Sequence, residues 1–412
     1  MKDNVKMKVG VIGAAVALIV AITITVVAIN LPRNNCETNG TNCEAGTGVE
    51  AQVGEGEQQM SVALGSGSVT TTIGGKSVTY KGAYVVDGIS AEVTAGTFES
   101  SSDDEVVFLV INGGSLKIDG NVLVKKTGSA NFQGRGDSYS FYGLNSAIVV
   151  VGEGSSASVN GATITSDVSG ANAVVATNKG SAVISEAKIT TSKDGSRGLH
   201  ATYEGYINAD TVTIATAGGS SASLATDRGN GTVIADNMTL STAGAGSPLI
   251  YSTGKITVTN SAGTATGAQI AVVEGKNSVV LQGCNFSATG VGNRKSSGSV
   301  IDNAGVMIYQ SMSGDADTGR GSFTATDSTL SVIEGGADFA TTPMFFVTNT
   351  EASIVLTGVT ANFSPSAKLV LAMGTSEWGK SGANGGVVSV SLSDVTATNQ
   401  EIYADEISSV SQ

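Results

Sequence analysis

Apolar and polar residues between positions 171 and 246 follow one arrangement three times over, in blocks at 172–191, 197–216 and 221–242. Each block opens on a short apolar run, as at Val174, Val175 and Ala176 or at Leu199, His200 and Ala201. A polar corner follows, then an alternating strand, a second corner, and a third strand rich in Thr, Ile and Val. The period is roughly 25 residues, the range of repeat architectures. Runs of four or five residues alternating in and out are strands rather than helices.

No block can bury its own apolar side. Stacking the next block covers that side and pairs each backbone N–H and C=O with the rung above or below. Connections of a few residues can turn a corner but cannot carry the chain back through a helix, so successive rungs must run parallel. The pattern predicts an all-β chain, a single-stranded parallel β-helix over 68–412, expected to be right-handed. The 55 Gly and 4 Pro agree with it. Gly serves corners that need positive φ, while Pro would remove a donor from a ladder that uses every donor.

Leading strands are expected at 68–80 and 83–98, an acidic corner at 100–105, and coils from Val106 onward. Rungs open at Ala147, Ala173, Leu199, Leu224, Leu249, Ile270, Met307, Phe345 and Leu369. Residues 128–142 read as a loop off the stack, with further loops at 293–303, 313–321 and 374–386. About a dozen rungs at a spacing of about 4.8 Å would make a rod of roughly 60 Å.

The first 67 residues do not belong to the coil. Lys2, Lys6 and Lys8 precede an uncharged run at 9–31, long enough to cross a bilayer as a helix. The basic flank would stay inside and place the remainder outside. Two readings stand: an uncleaved anchor, which the length favours, and a signal peptide cut near Val26, Val27 and Ala28. Residues 32–67 are polar and read as a flexible stalk. Cys36 and Cys43 within it could close a small disulfide loop outside the membrane. Cys284, between Gly283 and Asn285, reads as an inward-facing core thiol.

A formal net charge of −13 changes the choice of partners. A basic stripe for phosphates is absent, which argues against nucleic acid. An acidic surface suits an extracellular domain and can recruit divalent cations such as Ca²⁺; no other cofactor is expected.

Several stretches carry a resemblance. They include Tyr80-Lys-Gly-Ala-Tyr-Val-Val-Asp-Gly, Ser140-Phe-Tyr-Gly-Leu-Asn-Ser-Ala, Ser196-Arg-Gly-Leu-His-Ala-Thr-Tyr, Leu224-Ala-Thr-Asp-Arg-Gly and Phe346-Val-Thr-Asn-Thr. These resemble secreted microbial adhesin-like β-helix proteins of the pectate-lyase-like superfamily, from about Tyr80 to the C-terminus. The resemblance implies the fold and a secreted or cell-surface location. It does not fix an activity.

Corner residues supply the candidate chemistry. Successive rungs hold Asn178 and Lys179, Tyr203 and Glu204, Asp227 and Arg228, Tyr251 and Ser252, Glu274 and Lys276, Tyr309 and Gln310, then Asn349 and Glu351, with Arg197 and His200 just before the Glu204 corner. Stacked along one side, these give rings for sugar faces and charges for uronates or Ca²⁺. The competing reading is that corners are polar because they face water.

For catalysis, a glycosidase needs two carboxyl groups at matched separation, and Glu204, Asp227 and Glu274 can supply a pair. Superfamily lyases use clustered acids for Ca²⁺ and a basic residue for proton abstraction, a role open to Arg197 or Arg228. The local motifs of polygalacturonases and pectate lyases do not match, and His200 lacks Gly on both sides, so the residues lean against an enzyme. Arg135-Gly136-Asp137 spells an integrin-type tripeptide of the kind that arises by chance in Gly-rich loops. Asp103-Asp104-Glu105 and Asp315-Ala316-Asp317 could each bind a cation but read better as solvated loops, and Trp378 reads as a lid packed on the last rungs, with an exposed sugar platform as the alternative. Three functions are therefore carried forward: a surface adhesin or structural spacer that binds glycans, a polysaccharide lyase or glycoside hydrolase, and a rod that self-associates end to end. The last uses a C-terminal edge guarded by Glu401, Asp405 and Glu406.

Overall fold

The computed structural model describes residues 5–7 and 58–411, apart from 297–298, 315, 337, 376, 379–384 and 405. The run 9–31, the stalk to residue 57, Cys36 and Cys43 lie outside the described residues. Among those described, no helix is long and apolar enough to cross a membrane.

The repeat becomes a coil of three strand columns. The first column holds 14 strands, from Gly67–Ile73 to Val5–Met7. Its outermost pairings are antiparallel, Gly67–Ile73 on Lys76–Asp87 at one end and Val5–Met7 on Ile402–Ala404 at the other. Every pairing between them is parallel and in register. Val149 faces Val175, which faces His200, which faces Ala225, then Tyr251, Val272, Met307, Phe346 and Leu371. The second and third columns stack likewise, from Ser115–Asp119 and Val122–Lys126 onward. They merge at Ser90–Ser100, one unbroken strand that pairs with both.

Inward positions of all three columns form one core, running from Val86 and Phe108 through Ile207, Ile256 and Phe323 to Val388. Each large aliphatic side chain buried there stabilises the coil by about 1.5–3 kcal/mol. Cys284 is buried, and its thiol donates to the Val258 carbonyl at 3.4 Å. Corner backbone is met by a ladder of serines: Ser196 Oγ accepts from Ala171 N at 3.1 Å, Ser221 Oγ from Ser196 N at 2.9 Å, and Ser247 Oγ from Ser221 N at 2.9 Å. Those serines answer the need for a partner at each buried N–H.

The columns differ on their outer faces. In the second and third, exposed and buried positions alternate, as in Ser181–Ser185 and Lys188–Thr191. In the first, both faces of Ile148–Val151, Val174–Thr177 and Leu199–Thr202 are buried. An apolar outer face must be covered, and insertions at the corners do this.

The stretch 128–142, expected to be a loop, holds the helix Phe132–Tyr142, kinked at Arg135. Asn131 caps it by accepting from Gly134 N, and Gly143 ends it at φ 71°. Two interior glycines give poor intrinsic propensity, so packing decides the outcome. Phe132 and Tyr139 stack beside Gly170 and Gly195, where an added Cβ would lie 2.3 Å from Tyr139 and 2.5 Å from Phe132. Arg135 and Tyr139 both donate to Asp104. Arg135-Gly136-Asp137 is thus part of a docked helix.

Candidate groove on the outer face of the first column

A helix leaves its last four carbonyls without internal partners. Here a coil side chain meets each carbonyl of 139–142, and Gly143 N also donates to the Tyr139 carbonyl at 3.1 Å. Asn172 Nδ2 lies 3.2 Å from the Tyr139 oxygen, His200 Nε2 2.6 Å from that of Ser140, Thr202 Oγ1 2.8 Å from that of Phe141, and Tyr80 Oη 2.7 Å from that of Tyr142. The helix therefore covers the first-column face at Val149, Val151 and Val175. At the other end Trp378 covers Val272, Met307 and Phe346. Between the two covers lies a cavity of about 420 Å³.

Topology explains its walls. The helix leaves the corner that leads from third column to first, and residues 289–305 leave the equivalent corner further along. Trp378 comes from the opposite corner, between Val370–Ala372 and Val387–Ser393. Tyr251, Val272 and Met307 supply part of the cavity lining from outward strand positions. Phe132, Asp137, Ser140 and Phe141 line it from the helix, and Asn293, Arg294 and Asp302 from the second insertion.

Two buried polar groups organise this space. Arg197, with a side chain 11% exposed, lies 3.4 Å from Asp227, 8% exposed, and donates to Ser140 Oγ at 3.0 Å. Glu274 Oε2 accepts from Tyr251 Oη at 2.6 Å and Tyr309 Oη at 3.0 Å. Register accounts for the second cluster: Glu274 faces Tyr309 directly, while Tyr251 faces Val272 and reaches Glu274 diagonally. Burial first holds both phenols well above their ordinary range; Tyr309 and then Glu274 add to this at Tyr251, while at Tyr309 Glu274 adds to it and the Tyr251 hydroxyl opposes it. Trp378 meets Tyr309 edge-on, with centroids 5.4 Å apart.

Asp302 is buried too. Its Oδ1 accepts from Arg294 N at 2.9 Å and its Oδ2 from Asn293 N at 3.2 Å. Burial raises its carboxyl above the ordinary value, against the pull of those backbone bonds. Gln269 Nε2 donates to the Asp302 carbonyl at 2.8 Å.

Of the residues singled out in the sequence, Arg197, Asp227, Tyr251 and Tyr309 line the cavity, and Glu274 sits behind the two tyrosines. The rest are elsewhere. His200 is fully buried under the helix, where burial first and Arg197 second pull its imidazole down to about 3. Arg228 lies over the Phe141 ring at 4.0 Å. Tyr203 stacks on Tyr142, and its phenol is pushed up to about 12 by burial and then by that neighbour. Glu204 is exposed at its corner. Lys276 pairs with Asp317 at 2.8 Å, Lys179 with Glu153 at 3.7 Å, and Glu351 with Arg320. Gln310 donates to the Ala316 carbonyl at 3.2 Å and accepts from Asn349 at its own.

The corner ladder thus divides. Lys179, Glu204, Lys276 and Glu351 are exposed, or paired across neighbouring rungs, in water. Tyr251, Glu274 and Tyr309 are not corner residues at all but outward members of Ile250–Ser252, Ala271–Glu274 and Val306–Tyr309. Asp302, Arg294, Gln269 and the helix residues went unread. The interruptions at 128–142 and 293–303 are the visible signals for the helix residues and for Arg294 and Asp302, because a solenoid breaks its period where a loop leaves the stack.

Among the described residues no cluster of His, Cys, Asp and Glu is arranged to hold a metal ion. Asp103 accepts from Ser129 at 2.6 Å and Glu105 from Ser100 at 2.6 Å, so with Asp104 that acidic corner is used internally. No protein-family model, curated protein or solved structure matches this chain.

Proposed function

We propose that the chain is a secreted or surface-displayed, adhesin-like β-helix protein, right-handed as parallel crossovers nearly always are, that binds a glycan in the groove. The observation that carries this reading is the pairing of aromatic rings with buried charge in one cavity. Phe141, Tyr251, Tyr309 and Trp378 offer ring surfaces, and Arg197, Asp227 and Asp302 offer fixed polar groups. Ligand sites combine apolar walls with a few placed polar atoms in this way. A glycan array probed with the full chain, with and without Ca²⁺, tests it. Binding that Tyr309→Ala removes supports the reading; no signal on any polysaccharide contradicts it.

A second reading, a glycoside hydrolase, rests on two carboxyls of unlike surroundings in the same groove. Asp302 is driven toward its protonated form by burial, while Asp227 is paired with Arg197. Opposite environments of that kind divide acid from base. Release of reducing ends from a bound glycan, lost in Asp302→Asn and Asp227→Asn, would establish it.

Surface display would rest on 9–31. Whether that run stays in a membrane or is cut away, Val5–Met7 would be removed from Ile402–Ala404. Ile402–Ala404 would then lose that antiparallel partner while keeping Val370–Ala372, and the edge so exposed would suit end-to-end association of rods.

A further inference from the structure

The groove's polar atoms favour one class of glycan. Three carboxylates line it, Asp137, Asp227 and Asp302, and a fourth, Glu274, is buried directly behind Tyr251 and Tyr309. Against them stand two lining cations, Arg197 and Arg294. Arg197 and Asp227 engage each other, with Arg197 also on Ser140, which leaves Asp137, Asp302 and the buried Glu274 against Arg294.

The neutral groups lean the same way. Both phenols give their one proton to Glu274, since a carboxylate can only accept. Neither has a donor left for an anionic ligand. Gln269 directs one amide N–H toward the Asp302 carbonyl and keeps its second N–H and its carbonyl oxygen, so it can both donate to and accept from a hydroxyl. Each oxygen of Asp302 takes one backbone N–H and keeps a further lone pair.

Resting on the glycan-groove reading, we infer that the ligand is an uncharged, hydroxyl-rich glycan, bound by donating its O–H groups to Asp137, Asp302 and Gln269 between the aromatic rings. A uronate chain would bring carboxylates against carboxylates in a desolvated space, where like charges are costly. The acidity of the whole chain, net −13, adds to that repulsion at long range.

The test is titration calorimetry of the full chain against oligomers of glucan, mannan and galactan, against oligogalacturonate and oligoalginate, and against chitosan oligomers. At least one neutral series should bind, with an affinity that changes little with ionic strength, and both uronates should bind at least about 10-fold more weakly. Asp302→Asn should weaken the neutral ligand about 10-fold. Because Asp302 also orders its loop, the exposed Asp137→Asn is the companion variant, with a smaller loss and no change in melting. Uronate or chitosan binding as tight as the neutral series, or neutral binding untouched by both variants, overturns this inference and leaves the glycan groove standing. No binding to any oligomer overturns both.

Discussion

His200 Nε2 lies 2.6 Å from the carbonyl oxygen of Ser140, so the protein's single histidine holds the helix that walls the groove. As a neutral imidazole it must carry its proton on Nε2 to donate there. Burial and the nearby Arg197 keep it neutral, with a folded-state value of about 3 against 6.5 in the unfolded chain. Between those two values the unfolded chain binds a proton that the folded one refuses. Stability contributed by the neutral ring is therefore intact above about pH 6.5 and falls as pH drops toward 3, by about 1.4 kcal/mol per pH unit. His200→Gln keeps a donor and removes the titration. Denaturant midpoints measured across this range should fall less steeply in the variant; parallel curves would refute the assignment.

Asp104 tethers the helix from its side chains, accepting from Arg135 and Tyr139. Asp104→Ala leaves the buried Tyr139 phenol unpaired, a loss of about 1–3 kcal/mol. Asp104→Asn retains an acceptor and should lose less. Hydrogen exchange localises the effect: amides of 132–142 should exchange faster in Asp104→Ala while those of Leu199–Thr202 stay protected. Uniform loosening of the coil would mean that Asp104 supports more than the helix.

Alternation within a strand predicts opposite outcomes for neighbours. Ile207 is fully buried, and Ile207→Ala should cost about 2–5 kcal/mol. Val183 is 49% exposed one rung earlier, and Val183→Ala should shift stability by no more than about 0.5 kcal/mol. Equal losses, read from urea midpoints, would show the register to be displaced by one residue.

The legible part of the fold and the illegible part have separate physical causes. Repetition made the rungs visible. Expected openings at Ala147, Ala173, Leu199, Leu224 and Leu249 fall within one residue of the first-column strands Ile148–Val151, Val174–Thr177, Leu199–Thr202, Leu224–Thr226 and Ile250–Ser252. The helix was hidden because Gly134 and Gly136 suit a loop, and only docking against Gly170 and Gly195 makes it form. The groove was half hidden for a related reason. Polar residues at corners drew notice, but corners face water. The decisive feature is a column buried on both faces, and its cover comes from insertions that no period reveals. Tyr251 and Tyr309 could be named from the sequence, whereas Asp302 becomes a groove residue only when its loop folds back over Gln269.

Glu274 behind the tyrosines offers a spectroscopic check. Burial first, and the Glu274 carboxylate after it, disfavour phenolate at Tyr251 and Tyr309. Glu274→Gln removes the charge and keeps the burial. In alkaline absorbance titration two tyrosines should ionise at lower pH in the variant than in the native chain, while still above the ordinary value of 10.0. An unchanged titration would place Glu274 outside their reach.

The most direct measurement is a crystal structure of the chain with the tightest-binding neutral oligosaccharide. Sugar rings should lie across Tyr251 and Tyr309, between the helix Phe132–Tyr142 and Trp378, with hydroxyls on Asp302 and Gln269. Sugar found instead along the exposed corners at Lys179, Glu204 and Lys276, with the groove holding only water, would contradict the account.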